Sequence, residues 1–561
     1  MRISIAALAL MGVMMTGCSS EDYIQQTEKT SNQRTLTFNV GISDEGAGTR
    51  AVTADGTATF AVGDRIAVIY TTNTGNYAKA VSLPLTAGDL SLENKNATFT
   101  VTVNDPNYLY DVRYIYPASM VNEDCTVNWA ALDNQDGTLG ALSRNLDYCK
   151  GEGRWVHDGA QYQLPYLNLA NQLSILALTL KDSDGSNDLT NTITSLTLSD
   201  GDNTYRVKRN ASPGPIYMAI RPTSSATIDV TANSSSAYYS KSLQDKTYDS
   251  GHLFNLPWRM SVSNNIDLSK VYSDYEAKDG DILTGTLGEN VKISIADGAT
   301  VTLNGVTING TNDYRYNWAG LTCEGTATII LADGTTNNVK GFCQNYPGIY
   351  VPSGKTLIIN GQTDGNGSLN ASSNSIGAGI GGGGDKTCGN IEIQGGVITA
   401  KGGDRSAGIG SCETSSCGTI TISGGTVTAI GGDLAAGIGS SIGEGGYYSS
   451  CGTISITGGT VIATGGNFAA GIGSGCGGQC SDITIAKAVT YVKATRGTDE
   501  TNTYEPNAVN SKHVGPGDGG TCGTVTIGDK VYWKNNAYQN DGEQYLHDNS
   551  YLTYPFSSVT S

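Results

Sequence analysis

Cysteines recur at one position of a repeated unit in the C-terminal half of this 561-residue chain. The regular copies are Cys388, Cys417, Cys451 and Cys480, spaced by 29, 34 and 29 residues, and a degenerate copy follows at Cys522. If neighbouring units stack as paired strands, these cysteines lie about 4.8 Å apart, within the Cα range of a disulfide. The spacing therefore allows two states, which are disulfides between units or a column of buried thiols packed as small apolar groups.

Four other cysteines are candidates for local bridges. Cys412 and Cys476 lie close to the repeated cysteines, and Cys125 and Cys149 lie together in the N-terminal half. The sequence leaves both pairings open, because the geometry of the two Cα atoms decides whether a bridge can form.

Histidines and carboxylates give little support to catalysis. None of the four histidines has a ligand-like spacing to another, which disfavours a His-rich zinc site and a His-based triad. Glycoside hydrolysis needs two carboxylates at a set separation. The acids of the central repeats form no such pair: Glu392, Asp404, Glu413 and Asp433. We therefore predict that the protein is not an enzyme, with a polysaccharide-degrading enzyme as the remote alternative.

Two sets of side chains in the repeats are candidates for ligand binding. Asp404 and Asp433 each follow a Gly-Gly pair, and stacked carboxylates could bind Ca²⁺, although Asp is also a common turn residue. Aromatic rings in two insertions could stack on sugar rings, or could simply cover the core. They are Tyr314, Tyr316, Trp318, Tyr447 and Tyr448. Apart from Ca²⁺ at the two aspartates, we expect no cofactor.

The glycine pattern of the same repeats predicts a parallel β-helix. Residues 377–480 contain 33 glycines, and each unit has three short strand candidates separated by Gly pairs. Glycine supplies the positive φ that sharp corners need, so three strands and three corners make one coil. Propeller blades, the runner-up, need about 40–50 residues and are too long for these units. We place a right-handed parallel β-helix at residues 277–530 and an aromatic C-terminal cap at 531–561.

The sequence pattern of the N-terminal half predicts a series of strands, each with one buried face. Short alternating runs occur at residues 35–40, 97–103, 176–180 and 195–198, separated by turn residues such as those at 182–185. About 220 residues of this kind suggest two β-sandwiches. We place them at residues 35–160 and 161–257, followed by a linker at 258–276, so that the whole chain is all-β.

The first residues resemble a bacterial lipoprotein signal. An apolar run at residues 3–15 is too short to span a bilayer and ends in the lipobox-like MTGC of residues 15–18. The resemblance implies a signal peptide at 1–17, acylation of Cys18 and a tether at 18–34. The following SSED is similar to the acidic signal that sends Bacteroidota lipoproteins to the outer face of the outer membrane. An ordinary secretory signal is the alternative.

Four motifs of the N-terminal half together resemble Bacteroidota fimbrillins. They are GDRIAV at residues 63–68, YIYP at 114–117, IYMAIRP at 216–222 and SGHLFNL at 250–256. The resemblance covers about residues 35–257 and implies two transthyretin-like sandwiches and a role in surface pili. Fimbrillins are also similar in having a basic cleavage site after the first strand, for which Arg50 is the candidate here. Loss of that strand would open a groove that a strand from another subunit refills. The alternative is that Arg50 is an uncut loop residue.

These observations predict a surface-exposed, lipid-anchored protein of fimbrillin type. The expected role is a pilus subunit at the tip, or an adhesin that displays the β-helix. Its expected partners are other pilin subunits, host or microbial glycans or proteins, and outer-membrane lipid through Cys18. The net charge of −18 disfavours nucleic acid as a partner. A stand-alone carbohydrate-binding lipoprotein is the alternative function.

Overall fold

The computed structural model describes residues 33–42, 59–159, 161–234, 237–443, 449–498 and 510–556. Its N-terminal half consists of two β-sandwich domains, and its C-terminal half is a long stack of parallel strands. The predicted all-β class and the order of its parts, two sandwiches and then a parallel β-helix, are therefore confirmed.

The first domain is one seven-stranded sheet that folds over on a single core. In sheet order its strands are Tyr77–Val81, Ala67–Thr71, Asp111–Tyr116, Cys149–Arg154, Leu167–Asn171, Gln33–Ile42 and Asn96–Asn104. The Leu83 N–H donates to the Thr100 carbonyl at 2.8 Å, so the chain leaving one edge strand reaches the other. Alternation along the strands buries Phe38, Phe99 and Tyr114 between the two halves of the sheet.

Leu167–Asn171 lies beyond residue 160, where the sequence placed the end of this domain. It belongs to the first sheet because it pairs antiparallel with Cys149–Arg154 and parallel with Gln33–Ile42. The other elements of this domain are a hairpin and short helices. They are strands Val156–Asp158 and Gln161–Gln163, 3₁₀ turns Ala87–Asp89, Leu92–Asn94, Ala118–Met120 and Trp129–Asp133, and the α-helix Leu139–Asn145.

The second domain is a sandwich of a three-stranded and a five-stranded sheet. The smaller sheet has the order Ile216–Ile220, Ser174–Lys181 and Leu253–Arg259. The larger has the order Thr204–Lys208, Ser195–Ser199, Thr223–Asn233, Tyr238–Tyr248 and Ser261–Val262, and a 3₁₀ turn lies at Thr190–Thr192. Its core includes Leu178, Ile216 and Val230, together with Ile69 and Ile115 from the first domain. The two domains therefore share one apolar interface.

Three ladders of parallel strands form the faces of the β-helix. The first ladder contains Asn265–Asp267, Ile282–Thr286, the first half of Thr300–Asn309, Ala327–Leu331, Thr356–Gly361, Asn390–Ile393, Ile420–Ile422, Ile454–Ile456, Ile483–Ile485 and Val525–Ile527. The second contains the other half of Thr300–Asn309, then Thr336–Lys340, Ser368–Ser372, Val397–Lys401, Thr426–Ile430, Thr460–Thr464 and Tyr491–Thr495. The third contains Tyr275–Ala277, Ile293–Ile295, Leu321–Cys323, Ile349–Tyr350, Ile380–Gly381, Ile409–Gly410, Ile438–Gly439, Ile472–Gly473 and Val514–Gly515.

Alternation within each strand fills the interior of the rod with aliphatic side chains. Ile391 pairs in register with Ile420, Ile420 with Ile454, and Ile454 with Ile483, and all are buried. These isoleucines therefore form one inward stack along the rod. The first strand of the first ladder, Asn265–Asp267, lies within the segment 258–276 that the sequence assigned to a linker, and a 3₁₀ turn follows at Leu268–Lys270.

The two ends of the rod are covered in different ways. At the start, Tyr238 of the second domain is buried in the core of the rod with Ile266 and Leu268. At the end, Lys530–Lys534 pairs antiparallel with the last strand of the first ladder, and Leu552–Tyr554 pairs with that of the second. The remaining end elements are strand Ala537–Tyr538 and the π-helix Gln544–Asp548. Leu546 of this π-helix accepts a hydrogen bond from the His513 N–H at 2.7 Å, next to the last strand of the third ladder. All three ladders therefore end against the cap.

Candidate adhesive and strand-exchange surfaces

The repeated cysteines stack in one column along the rod. Cys417 pairs in register with Cys451, Cys451 with Cys480, and Cys480 with Cys522. They lie in the short strands Ser416–Cys417, Ser450–Cys451, Gln479–Cys480 and Thr521–Cys522. The Cys388 N–H donates to the Ser416 carbonyl at 2.8 Å, which places Cys388 one coil before Cys417. We call these five residues the cysteine column.

Both of the states allowed by the sequence occur in this column. Cys480 and Cys522 form a disulfide with their Cα atoms 4.7 Å apart, whereas Cys388, Cys417 and Cys451 are buried thiols. Contacts with the Cys388 and Cys451 thiols, together with burial, hold the pKa of Cys417 well above its usual value. The Cys417 Sγ donates to the Gly389 carbonyl at 3.6 Å. The Cys417 thiol is thus protonated at neutral pH.

The pairing of Cys125 with Cys149 that the sequence left open is wrong, because both residues are thiols. Cys149 is buried in the core of the first domain, while Cys125 packs against the separate core shared with the second domain. Cys412 and Cys476 are also thiols, and the Cys412 Sγ accepts a hydrogen bond from the Ser406 Oγ at 3.2 Å. Cys125 and Cys149 are close in sequence, but sequence proximity did not show that they pack in different cores.

Asp404 and Asp433 lie at the same exposed corner in successive coils. A β-carbon added to Gly432 would lie 3.3 Å from the Asp404 Cα, which shows how closely these corners stack. The residue after each aspartate has a positive φ, 48° at Arg405 and 59° at Leu434, as in a tight turn. In the described part of the chain, no group of three or more His, Cys, Asp or Glu is placed to hold a metal ion.

The aromatic insertion near residue 316 is split between the surface and the core. Tyr314 has 66% of its surface exposed. Tyr316 and Trp318 instead pack against Phe342 of the rod, with ring centroids 6.3 and 5.7 Å away. Tyr314 is therefore the member of this group that can present a ring face to a ligand. The candidates Tyr447, Tyr448, Cys18 and Arg50 lie outside the described residues.

The first strand, Gln33–Ile42, fills a slot between two strands of the first sheet. It pairs antiparallel with Asn96–Asn104 over nine positions and parallel with Leu167–Asn171 over three. Phe38 and Val40 point into the core, where the Phe38 ring lies 4.8 Å from the ring of Tyr114. Removing this strand would leave unpaired backbone groups on both sides of the slot and open an apolar cleft. The sequence predicted the groove but gave no sign that it is two-sided.

The contacts that join the second domain to the rod were missed by the sequence analysis. Besides Tyr238, the Arg206 guanidinium lies 5.0 Å from the ring centroid of Tyr272, and the Thr194 and Ser273 hydroxyls are 2.7 Å apart. These side chains belong to ordinary alternating runs and loops, so local pattern carried no signal of their role. They hold the start of the rod against the second sandwich.

In the described ranges, no helix combines the length and the hydrophobicity that a membrane crossing requires.

A β-helix repeat family model matches residues 391–411, 420–442 and 454–476, which are three successive coils of the rod. No curated protein matches the chain. Among solved structures, a fimbrial assembly protein from Parabacteroides distasonis is similar at 10% identity and a TM-score of 0.26, covering 41% of this chain and 93% of its own. A proposed cell adhesion protein from Bacteroides uniformis is similar at 14% identity and a TM-score of 0.23. The match covers 41% of this chain and 97% of that protein. Another proposed cell adhesion protein, from Bacteroides ovatus, is similar at 13% identity and a TM-score of 0.25. That match covers 41% of this chain and 94% of the other protein.

Proposed function

We propose that this chain is a surface adhesin of fimbrillin type that stands at the tip of a pilus and displays the β-helix as its binding rod. The observation that carries this proposal is an asymmetry between the two ends of the sandwich pair. The first strand lies in a slot from which it could be removed, so the first domain can accept a strand from another subunit. The last long strand of the second domain, Leu253–Arg259, is not available in the same way.

Leu253–Arg259 is held in place by pairing and by the chain that follows it. It pairs in register with Ser174–Lys181 over seven positions, from Leu253 to Arg259. The chain then enters the first ladder at Asn265, and Tyr238 is buried under the start of the rod. A subunit that can accept a strand but cannot donate its own end terminates a polymer. This supports the tip position over a position within the stalk.

The rod offers a long binding surface on rigid strands. Many of its outward positions carry short polar side chains, such as Thr399, Thr421 and Thr428. Neighbouring coils are hydrogen-bonded through such side chains, as between Asn338 and Asn370 at 2.9 Å. Tyr314 adds one exposed ring on an insertion. Glycans and proteins are the ligand classes that suit hydroxyl and amide groups combined with an exposed aromatic ring.

The anchored form of the protein would be held in the outer membrane through acylated Cys18. Several acyl chains on one residue bind a bilayer firmly, because each buried CH₂ contributes about 0.8 kcal/mol. In this form the first strand remains in its slot. Cleavage after Arg50 would release the tether and the first strand together and would open the slot to the next subunit.

Truncation at the start of the rod tests the proposed function. Cells would express the chain without residues 265–561, with Tyr238→Ser so that no buried ring becomes exposed. We expect normal export and surface density, together with loss of adhesion to host cells and glycan surfaces. A chain that ends after Phe556 retains all three cap contacts and serves as the matched control. Adhesion that persists without the rod would refute the assignment.

The stand-alone carbohydrate-binding alternative is favoured by the exposure of Tyr314. The two functions differ in whether a strand from another subunit enters the slot of the first domain. In the alternative, the purified full-length chain binds glycans on an array in a Tyr314-dependent manner, and no pilus subunit ever occupies the slot. Recovery of the chain from sheared pili would reject the alternative.

A further inference from the structure

The cysteine column has a geometry in which each residue can bond only to its immediate neighbours. Cys417, Cys451, Cys480 and Cys522 are in-register partners on adjacent coils. Cys388 lies one coil before Cys417, and the Cα atoms of the bonded pair are 4.7 Å apart. Members two coils apart are separated by roughly 9–10 Å, beyond the Cα distance that a disulfide can bridge. The column is therefore a linear series of five sites with bonds allowed only between neighbours.

We propose that the cysteine column is a disulfide-exchange ladder, in which disulfides form between adjacent coils and move along the rod one coil at a time. The elementary step uses the bond already present. The Cys451 thiolate attacks the Cys480 Sγ, the Cys451–Cys480 bond forms, and the Cys480–Cys522 bond breaks. Cys522 leaves as a thiolate and takes up a proton equivalent to the one lost from Cys451, so no oxidant is consumed.

The stacked strands provide the alignment that this step requires. Cys451 and Cys522 are the partners of Cys480 on its two opposite sides. The attacking, central and leaving sulfurs therefore follow one another along the rod axis, as displacement at a disulfide sulfur demands. The thiolate is the attacking form of a cysteine, so exchange should accelerate as the pH rises.

Further oxidation of the ladder restricts which of the five sites can hold the remaining thiol. A small-molecule disulfide such as oxidised glutathione can convert two thiols of the column to a second protein disulfide and is itself reduced to two thiols. Five sites with two neighbour bonds leave one thiol, and this thiol must lie at the first, third or fifth site. It therefore resides at Cys388, Cys451 or Cys522, while Cys417 and Cys480 are always bonded.

Such a ladder would keep successive coils of the rod covalently joined. Each bond links two successive coils, and the existing one spans 42 residues of chain. When two bonds are present and one is reduced, a thiolate that it leaves can attack the remaining disulfide, so that this bond moves by one coil and the number of disulfides is unchanged. This inference does not depend on the ligand or on the position of the chain in a pilus.

The test is a map of residual thiols in the purified full-length chain. After equilibration with oxidised glutathione, thiols are trapped by alkylation in acidic denaturant, where exchange stops. Proteases that cleave at Glu413, Asp433 and Phe468 place Cys417, Cys451 and Cys480 on different peptides for mass spectrometry. We expect one alkylated column cysteine per chain, shared among Cys388, Cys451 and Cys522, with background labelling at Cys417 and Cys480. Alkylated Cys417 or Cys480 in the two-disulfide form, a bond between non-adjacent members, or labelling that never reaches Cys522 would overturn the proposal.

Substitutions in the column should redistribute the residual thiols in ways that a fixed Cys480–Cys522 disulfide would not. Cys451→Ala divides the column into two pairs, and full oxidation should leave no column thiol. Cys417→Ala isolates Cys388, which should stay reduced while one further thiol is shared between Cys451 and Cys522. Cys323→Ala removes a buried thiol of the same rod outside the column and should reproduce the unsubstituted map. The unsubstituted map alone decides the proposal if a variant does not fold.

Discussion

A β-carbon placed on Gly439 would lie 1.8 Å from the carbonyl oxygen of Gly473 in the next coil. The same approach recurs along the third ladder, at 1.9 Å from Gly410 to Gly439 and from Gly473 to Gly515. These glycines also have φ values between 134° and 139°, a conformation that other residues rarely adopt. The repeated Ile-Gly pairs therefore allow the corner of each coil to stack directly on the next.

Gly439→Ala should destabilise the rod by at least about 3 kcal/mol, because backbone must shift in two adjacent coils to admit the methyl group. Hydrogen exchange should locate the loss in the coils that contain Gly410, Gly439 and Gly473. Neighbouring coils support one another in a solenoid, so exchange should rise on both sides of the substitution.

Gly354→Ala is the matched control for this effect. Gly354 also has a positive φ, of 76°, but an added β-carbon there would meet no atom within 4 Å. The expected cost is about 1 kcal/mol, from backbone strain alone. Equal effects of the two substitutions would contradict the claim that coil spacing depends on the Ile-Gly corners.

Removal of the C-terminal cap should make the rod self-associate. A chain that ends after Gly528 exposes the edges of Val525–Ile527 and Tyr491–Thr495, which Lys530–Lys534 and Leu552–Tyr554 cover in the intact protein. Open strand edges pair with other chains. Size-exclusion chromatography with light scattering should detect oligomers or aggregates. If the truncated chain stays monomeric, the residues from 530 onward do not act as a cap.

Acid should weaken the attachment of the cap through His513. The His513 Nδ1 accepts a hydrogen bond from the Arg496 N–H at 3.0 Å, and its Nε2 donates to the Asn549 carbonyl at 2.6 Å, so the ring is neutral. Burial, with the nearby charges of Arg496 and His547, lowers the pKa of His513 from 6.5 to about 4. The unfolded cap therefore binds a proton more readily than the folded cap. Stability should be constant above about pH 6.5, fall by up to about 3 kcal/mol as the pH drops towards 4, and level off below that.

His513→Gln separates this effect from general acid destabilisation. A Gln side chain can accept from the Arg496 N–H and donate to the Asn549 carbonyl, but it does not titrate. Hydrogen exchange of the amides in residues 530–556, measured across this pH range, should lose its pH-dependent opening in the variant. An unchanged pH profile would exclude His513 as the cause.

The parts of the fold that follow from local pattern were predictable, and those that depend on distant partners were not. Alternating isoleucines and in-phase glycines specify the rod because each coil repeats the contacts of the one before it. The insertion of Leu167–Asn171 beside Gln33–Ile42 joins strands more than 120 residues apart, and no local signal marks it. Likewise, the cysteine spacing predicted a column, but the choice of Cys480 and Cys522 as the bonded pair depends on side-chain geometry. Tyr238 has the same local pattern as other strand residues, although it is buried in the rod.

Processing after Arg50 should distinguish two populations of the protein. N-terminal sequencing of the chain from sheared pili should begin at Ala51, whereas the membrane-retained chain should have a blocked N-terminus at Cys18. Arg50→Ala should keep the first strand in its slot and abolish incorporation into pili, because the acceptor groove stays filled. Incorporated chains that still begin at Cys18 would exclude exchange at this slot.

Immunogold electron microscopy of piliated cells tests the tip assignment most directly, with an antibody raised against residues 391–476 of the rod. The expected result is gold at the free ends of pili on intact cells, with no labelling of cells that lack the gene. Gold along the pilus shafts, or on the cell body of cells without pili, would contradict a terminal subunit that accepts a strand and displays the β-helix outward.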